Sequence, residues 1–235
     1  MSLNDQAAPL RLWQGQPSIQ TGLRSVSFDL DGTFADTSTD LAGALNALRL
    51  ELGQAALPVP DVARHVGRGA RWLVSHCLDQ SSCRDLEPLV LRFLELYAGC
   101  CTETTAPYSG LVPLVEHLRE AGVLVTLATN KPRRFTEAIV EGLSWGPRFD
   151  GVYCGDDGPS KPDPWMIEAC MADLSTQAPQ HLHVGDTVTD AHAAQNAGCF
   201  FAPCFWGMDQ GEALRAMNPV GFKQPSGLVA AFQGV

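Results

Sequence analysis

Acidic side chains, a threonine and a lysine follow short apolar segments at several points of the chain. Asp29 and Asp31 follow the first such segment, and Thr129, Lys161 and Asp186 follow later ones. The carboxylates of Asp29 and Asp31, two residues apart in an extended strand, would point to one face and repel each other. They coexist if a cation lies between them or if one keeps its proton. A carboxylate cluster of this kind suits Mg²⁺, which combines carboxylate ligands with substrate phosphate.

The remaining groups fit the binding of a phosphate beside such a metal. Lys161 would offset the residual negative charge, and the Thr129 hydroxyl, with free backbone N–H groups at the following helix start, would bind phosphate. Each signal has a structural alternative, because a D-x-D run also forms a capping turn and a lone lysine is usually solvated. Asp190 fits either the metal site or a helix N-terminus, where the dipole favours its charge. The joint order of the signals, each at a strand end, favours the functional interpretation.

Alternating strands and helices must hold these groups at one edge of a sheet. We predict strands at 26–30, 123–128, 152–154, 181–184 and 199–202. Helices are predicted between them at 111–121, 133–143, 164–174 (with Asp163 as the N-cap) and 190–197. This alternation implies βαβ crossovers and a parallel sheet, in which ligands bind beyond the carboxyl ends of the strands. The sequence therefore predicts an α/β fold with the polar groups at that edge.

A purely helical block interrupts the alternation directly after the first strand. Its apolar residues recur at three- and four-residue spacing without any strand pattern, and Thr37 or Ser38 is placed to cap its first helix. We therefore expect an insertion over 38–106 within a core made of 25–37 and 107–235.

The composition excludes several classes of partner. The 235 residues carry 16 basic and 26 acidic side chains, a net charge of −10, so a general nucleic-acid-binding surface is not expected. No segment approaches the ~18 apolar residues of a membrane span. Residues 1–24 are polar, lack the features of a signal peptide and show no periodicity, so we interpret them as an N-terminal extension outside the fold. We expect a cytoplasmic protein with neither membrane nor nucleic-acid partners.

Four motifs resemble those of the haloacid dehalogenase-like hydrolase superfamily. They are D-L-D-G-T at 29–33, A-T-N-K at 128–131, S-K-P-D-P at 160–164 and V-G-D-T-V-T-D at 184–190. The resemblance implies a doubly wound, Rossmann-like catalytic core with a mobile cap. The helical block over 38–106 would be the inserted α-helical cap domain.

Carried over by position, the resemblance assigns phosphoryl transfer to five residues. Asp29 would be the nucleophile that forms an aspartyl-phosphate. Asp31 would give a proton to the leaving group and then activate water, and crowding by Asp29 and the phosphate would keep it protonated long enough to donate. Thr129 and Asn130 would bind the phosphoryl group, and Lys161 would hold nucleophile and phosphate together. Catalysis of this kind depends mostly on positioning and electrostatic stabilisation.

The resemblance also implies a Mg²⁺ site. Asp29, the main-chain carbonyl of Asp31 and the carboxylate of Asp186 would be its ligands, and Asp190 would support either the metal or Lys161. The acid at position 31 is typical of phosphate chemistry, because the dehalogenase branch of the superfamily has none there.

Within the superfamily the chain looks most like the phosphoglycolate phosphatase subfamily. The run H-V-G-R-G-A at 65–70 of the helical block carries part of this likeness. Phe34 and Thr187 depart from the usual Leu and Ser, which leaves the catalytic set intact. Arg68 or Arg71 of the cap would bind a substrate carboxylate, although both also fit a solvated helix start.

These assignments favour a Mg²⁺-dependent phosphatase of a small phosphorylated metabolite, with 2-phosphoglycolate as the first candidate. The alternatives are a phosphatase of a sugar or amino-sugar phosphate, a phosphomutase of the β-phosphoglucomutase type, and a non-catalytic binding protein. The intact set of Asp29, Asp31, Lys161 and Asp186 argues against a binding protein. The expected assembly is a monomer or a homodimer.

Overall fold

Six parallel strands form the centre of the protein in the computed structural model, which describes residues 10–13, 22–79, 85–208 and 211–233. In chain order, the strands of the described residues are β1 (Arg11–Leu12), β2 (Ser25–Phe28), β3 (Ala35–Asp36), β4 (Ala106–Pro107), β5 (Leu124–Ala128), β6 (Gly151–Tyr153), β7 (His181–Gly185) and β8 (Phe200–Pro203). The sheet order is β1-β8-β7-β2-β5-β6, and β3 pairs with β4 in a separate antiparallel ribbon.

Strand β2 lies inside the sheet and pairs in parallel with β5 on one side and β7 on the other. The chain builds β5 and β6 on the first side and then returns to build β7 and β8 on the second, so the strand order reverses beside β2. Ligands of doubly wound sheets bind at this kind of switch point. Val26 and Phe28 of β2 are fully buried, as expected for a strand covered on both faces. The predicted α/β doubly wound fold is confirmed.

Helices cover the sheet and form the block that follows β3. The helices of the described residues are α1 (Ser38–Glu51), α2 (Val59–Ala63), α3 (Ala70–Cys77), α4 (Glu87–Ala98), α5 (Leu111–Glu120), α6 (Arg133–Gly142), α7 (Trp165–Asp173), α8 (Val188–Ala197), α9 (Glu212–Met217) and α10 (Pro225–Gln233). Helices α1 to α4 share an apolar cluster that includes Leu45, Phe93 and Tyr97, and Phe135 of α6 joins it. The assignment of 38–106 as a separate cap domain stays a prediction. None of the described helices has the length and apolarity needed to cross a membrane.

Part of the N-terminal segment belongs to the fold, so the interpretation of residues 1–24 as an extension outside it was wrong. Arg11 and Leu12 form the edge strand β1 beside β8. The following Trp13 is buried, with its ring centre 4.5 Å from that of Phe232 in α10. A two-residue strand has no periodicity to detect, and one large aromatic side chain is enough to anchor it. Most of the remaining extension lies outside the described residues.

Two helix starts differ from the predicted positions by one or two residues. Helix α7 begins one residue later than predicted, and Asp163 accepts the backbone N–H of Trp165 at 2.9 Å. Helix α8 begins two residues earlier, because Thr187 caps it. The Thr187 hydroxyl accepts the N–H of Asp190 at 3.3 Å, and Asp190 accepts the N–H of Thr187 at 3.1 Å. This reciprocal cap fixes Asp190 in the first turn of α8.

Candidate active site

The polar groups predicted at the strand ends lie together in the structure. Asp29, Thr129 and Asp186 directly follow β2, β5 and β7, which are adjacent in the sheet. All three are buried, with at most 4% of each residue exposed. Lys161 reaches the same place from the loop before α7. Because parallel strands end at a common edge, the fold itself brings these residues together.

Lys161 lies between two carboxylates. Its Nζ is 2.9 Å from Asp29 Oδ1, and it donates to Asp190 Oδ1 at 2.5 Å and to the backbone carbonyl of Ala128 at 2.7 Å. Burial opposes the charge, but Asp190 and Asp29 hold the pKa of Lys161 above its ordinary value, so the lysine stays protonated. Burial raises the pKa of Asp29 to about 6, with Lys161 opposing that shift.

Asp31 has a lysine of its own, which the sequence analysis did not select. Lys131 Nζ donates to both carboxylate oxygens of Asp31, at 2.8 and 3.0 Å, and lies 4.7 Å from the centre of the Tyr97 ring. Thr37 donates to the same carboxylate at 2.6 Å, so its hydroxyl serves the site and does not cap α1. The two neighbouring carboxylates of the D-x-D motif thus coexist beside two separate ammonium groups. The available signal for Lys131 was its position three residues after the end of β5.

Asp186 is a fully buried carboxylate with no cationic partner in the part of the chain that the structure describes. It accepts the Thr33 hydroxyl at 2.9 Å and the backbone N–H of Met208 at 3.0 Å. Burial, together with the nearby Asp190 and Asp29, raises the pKa of Asp186 well above its ordinary value. A nearby cation would favour the ionised form of such a group.

The charges of the site fit one divalent cation. Four buried carboxylates, from Asp29, Asp31, Asp186 and Asp190, face two lysine ammonium groups, so two negative charges are left without a cationic partner among the described residues. Oxygens of Asp29, Asp186 and Asp190 lie within 4.8 Å of one another, and carboxylate oxygens are the ligands that Mg²⁺ prefers. Both oxygens of Asp190 already accept hydrogen bonds, which suits that residue to supporting the lysine.

Two glycines leave the space that the Asp186 carboxylate occupies. A Cβ atom at Gly32 would lie 2.4 Å from Asp186 Oδ2, and one at Gly207 would lie 2.0 Å from the same oxygen. Any larger residue at either position would therefore displace the carboxylate. This role of Gly207 was not predicted from the sequence, because a glycine does not reveal which side chain packs against it.

We expect Mg²⁺ to raise the melting temperature of the wild-type protein, and we expect Gly207→Ala to abolish that rise by displacing Asp186. At 100 times its Kd the ion would stabilise the folded state by about 2.7 kcal/mol. Gly43→Ala is the matched control, because an added Cβ there in α1 has no neighbour within 4 Å. Thermal unfolding with and without Mg²⁺ measures both variants. A wild-type Mg²⁺ response in Gly207→Ala would separate Asp186 from the metal site.

The side chain of Asn130 joins the helical block to the loop before α7 that carries Lys161. Its Nδ2 donates to the backbone carbonyls of Gly67 at 3.0 Å and Lys161 at 2.9 Å, and its Oδ1 accepts the Lys161 N–H at 2.8 Å. The sequence did not indicate this bridging role, and phosphate binding by Asn130 stays a prediction. The neighbouring Thr129 hydroxyl accepts the N–H of Lys131 at 3.2 Å, which leaves its own hydrogen for a further acceptor.

The two arginines predicted to bind a substrate carboxylate lie in different surroundings. Arg68 lines a cleft of about 370 Å³ that also contains Lys161, and its guanidinium lies 4.6 Å from the centre of the Trp72 ring. Arg71 is exposed and donates to Glu87 at 2.8 Å, in an ion pair at the surface of the helical block. Of the two arginines, only Arg68 shares a cleft with Lys161, and it is not among the described residues that line the pocket of Asp29 and Asp31.

Known proteins share both this sequence pattern and this fold. The model of one family, described as haloacid dehalogenase-like hydrolase, matches residues 26–203, which include Asp29, Lys131, Lys161 and Asp186. The chain belongs to the haloacid dehalogenase-like hydrolase family. The family prediction made from the four motifs is confirmed.

Relatives of this haloacid dehalogenase-like hydrolase include named phosphatases. Phosphoglycolate phosphatase of Caulobacter vibrioides is 34% identical over 179 residues, which are 74% of this chain and 76% of the relative. N-acetylmuramic acid 6-phosphate phosphatase of Pseudomonas aeruginosa is 31% identical over 201 residues, 80% of this chain and 89% of the relative. The solved structure of a haloacid dehalogenase-like family hydrolase from Streptococcus pneumoniae has the same fold, with a TM-score of 0.77 at 21% identity, over 90% of this chain and 99% of that one. The predicted enzyme class, a phosphoric monoester hydrolase, is confirmed.

Proposed function

We propose that this hydrolase is a Mg²⁺-dependent phosphatase that transfers the phosphoryl group of a small phosphomonoester through Asp29. The observation that carries the proposal is the buried arrangement at the strand ends. Asp29 and Asp31 each lie beside a lysine, next to the unpaired carboxylate of Asp186. A phosphate adds negative charge to this acidic site, so it binds only where ammonium groups and a metal ion reverse the local sign.

The chain's own residues supply the covalent and proton-transfer steps. A carboxylate oxygen of Asp29 attacks phosphorus to form an aspartyl-phosphate, and the bond from phosphorus to the leaving oxygen breaks. Asp31, which Lys131 and Thr37 orient and which must be protonated at this step, gives that oxygen its proton. Asp31 then takes a proton from water, whose oxygen attacks the same phosphorus and releases Asp29 as a free carboxylate. One difficult transfer is thus divided into two easier ones.

The surrounding groups position the phosphate and spread its charge. Lys161 holds the Asp29 carboxylate and offers its ammonium to the phosphoryl oxygens, while Asp190 keeps the lysine oriented. The Thr129 hydroxyl would add a hydrogen bond. Mg²⁺, held by Asp29, the main-chain carbonyl of Asp31 and Asp186, would supply further positive charge to the phosphoryl group.

Proton competition should weaken Mg²⁺ binding in acid. Because burial raises the pKa of Asp29 to about 6, this carboxyl is mostly protonated below that pH and no longer available to the metal. We expect the apparent Kd for Mg²⁺, measured by titration calorimetry, to rise at least about tenfold for each pH unit below about 6, because the raised pKa of Asp186 adds a second competing proton. The folded, metal-free protein holds this proton more tightly than the unfolded chain, so its stability should fall as the pH rises from about 4 to 6. A Kd that does not change with pH in this window would contradict the assignment of Asp29 as a ligand.

The proposed substrate is 2-phosphoglycolate, whose carboxylate would bind Arg68. The support comes from the likeness to the Caulobacter vibrioides phosphatase and from the position of Arg68 on the cleft that contains Lys161. The likeness to the Pseudomonas aeruginosa phosphatase makes an amino-sugar phosphate the alternative.

A panel of phosphomonoesters tests the substrate. We expect the highest kcat/KM for 2-phosphoglycolate among this compound, N-acetylmuramic acid 6-phosphate and glucose 6-phosphate. Arg68→Ala should lower the value for 2-phosphoglycolate about tenfold, mainly through KM, because a charge-assisted hydrogen bond is lost. Arg71→Ala, which removes a surface ion pair, should change nothing.

Each other outcome of the panel excludes part of the proposal. Unchanged relative rates in Arg68→Ala would remove Arg68 as the group that binds the carboxylate. Faster phosphate release from the amino-sugar phosphate would identify that compound as the substrate in place of 2-phosphoglycolate. An isomerised sugar phosphate, formed without free phosphate, would identify a phosphomutase. The cytoplasmic location and the monomeric or homodimeric assembly stay predictions.

A further inference from the structure

A chain of buried hydroxyl and imidazole groups runs into the sheet from the carboxylate of Asp190, which contacts Lys161. It consists, in order, of Asp190, His183, Ser27, His181, Ser25 and Thr176. Successive polar atoms lie 3.1, 2.8, 2.9, 2.7 and 2.9 Å apart. This histidine–serine chain follows the paired strands β2 and β7, where Ser27 is in register with His183 and Ser25 with His181.

The carboxylate at one end fixes the direction of every hydrogen bond in the histidine–serine chain. Asp190 Oδ1 only accepts, so a neutral His183 must donate its Nε2–H to it. His183 Nδ1 is then an acceptor and takes the hydroxyl hydrogen of Ser27, whose oxygen accepts the Nε2–H of His181. By the same reasoning His181 Nδ1 accepts from Ser25, and Ser25 accepts from the threonine at the far end. All donors therefore point towards Asp190.

Burial keeps both imidazole rings neutral. It lowers the pKa of His181 to about 3 and also lowers the pKa of His183. Burial alone would raise the pKa of Asp190, but Lys161 and His183 hold it below its ordinary value. The histidine–serine chain thus gives the ionised carboxylate of Asp190 a neutral hydrogen-bond donor, which leaves the negative charge of Asp190 in place.

Packing alone does not require these polar groups. Ser25, Ser27, His181 and His183 are each 0% exposed, although the residues between and beside them in β2 and β7 are apolar. Replacing both partners of a buried hydrogen bond by apolar groups of the same shape is nearly neutral, whereas one unpaired member costs about 1–3 kcal/mol. A continuous polar chain that ends on the carboxylate holding Lys161 therefore indicates a role directed at the site.

We propose that His183 is a positioning residue for phosphoryl transfer. It fixes the Asp190 oxygen that holds Lys161, and the rest of the histidine–serine chain fixes the orientation of His183. His183 Nε2 and Lys161 Nζ both contact Asp190 Oδ1, at 3.1 and 2.5 Å. Because Ser27 occupies Nδ1 of His183, the ring keeps its proton on Nε2, where it faces the carboxylate. The inference rests on the proposed function of Lys161 in phosphoryl transfer.

The tautomers of the two rings test the hydrogen-bond part of the proposal without an activity assay. Nitrogen-15 NMR of wild-type protein labelled at histidine should show both rings neutral, with the proton on Nε2. The signals are assigned by their loss in His181→Asn and His183→Gln. A proton on Nδ1 of either ring, or a doubly protonated ring at neutral pH, would overturn the proposal.

Ser27→Ala tests the positioning part, because Ser27 contacts His183 and His181 but neither Lys161 nor Asp190 in the described hydrogen bonds. We expect kcat on the best substrate to fall about tenfold or more, with KM changed by less than about twofold. The Nδ1 signal of His183 should shift, because this nitrogen loses the hydrogen bond from Ser27, while Asp190 keeps the proton on Nε2. Ser27→Thr, which keeps the hydroxyl, should restore both readouts.

Thr126→Val is the matched control. Thr126 is a fully buried hydroxyl in register with Ser27 on β5, and it donates to Cys170 outside the histidine–serine chain. Its loss should leave kcat and the tautomers unchanged. An unchanged kcat in Ser27→Ala, or an equal loss in Thr126→Val, would overturn the positioning role. The wild-type tautomers test the hydrogen-bond part even if a variant does not fold or the wild type releases no phosphate. Failure of the proposed function can therefore be distinguished from failure of this inference.

Discussion

Asp29→Asn should lower phosphate release from the best substrate by at least about 10³-fold, to the background rate. Asparagine has nearly the same size as aspartate but no carboxylate oxygen to attack phosphorus, and it provides one charged metal ligand fewer. Folding should survive the change, because burial already disfavours the charge of Asp29 and Lys161 keeps its contact with Asp190. Phosphate release and thermal unfolding, measured on the same preparation, check both parts.

The matched control for Asp29→Asn is Asp173→Asn. Asp173 is exposed at the end of α7, where its carboxylate accepts the Tyr153 hydroxyl, a bond that asparagine can also accept. This variant should keep the wild-type rate. A folded Asp29→Asn protein with more than a few per cent of that rate would show that another group is the nucleophile.

Lys131→Met should both destabilise the protein and reduce its activity. The change leaves the buried Asp31 carboxylate without its ammonium partner, and breaking such a pair from one side costs about 3 kcal/mol or more. Asp31 would also lose the orientation needed for proton transfer, so kcat should fall about 10²-fold or more. Denaturant unfolding gives the first quantity and phosphate release the second.

The double variant Asp31→Asn with Lys131→Met separates the two effects. It removes both charges, so the free energy of unfolding should return towards the wild-type value while activity stays lost. A Lys131→Met protein within about 0.5 kcal/mol of wild-type stability would contradict the structural role of the Asp31–Lys131 pair. Recovery of activity in the double variant would contradict the role of Asp31.

The site residues that were easiest to predict from the sequence stand directly at strand ends. Asp29 and Asp186 follow buried apolar strands, and the rule that parallel strands end at one edge is enough to bring them together. Lys161 was predictable only from the joint order of the motifs, since its own neighbours in the sequence do not mark it as buried. The fold class followed from the same alternation of strands and helices.

The residues and roles that were not predicted depend on contacts between distant parts of the chain. Lys131 resembles any solvated lysine until Asp31, 100 positions earlier in the chain, is placed against it. Gly207 is informative only through its distance to Asp186, and the amide of Asn130 only through the loop that holds Gly67. None of these contacts has a periodicity or a spacing that a single sequence would show.

Inorganic phosphate release from 2-phosphoglycolate by the purified wild-type protein, first in Mg²⁺ and then after chelation, tests the central claim most directly. We predict release in Mg²⁺, a fall of at least about 10²-fold on chelation, and recovery when Mg²⁺ is added back. The structural reason for this dependence is that the four carboxylates of the site carry two more charges than its two lysines balance. The same rate with and without chelator, or no release from any small phosphomonoester in Mg²⁺, would contradict the account.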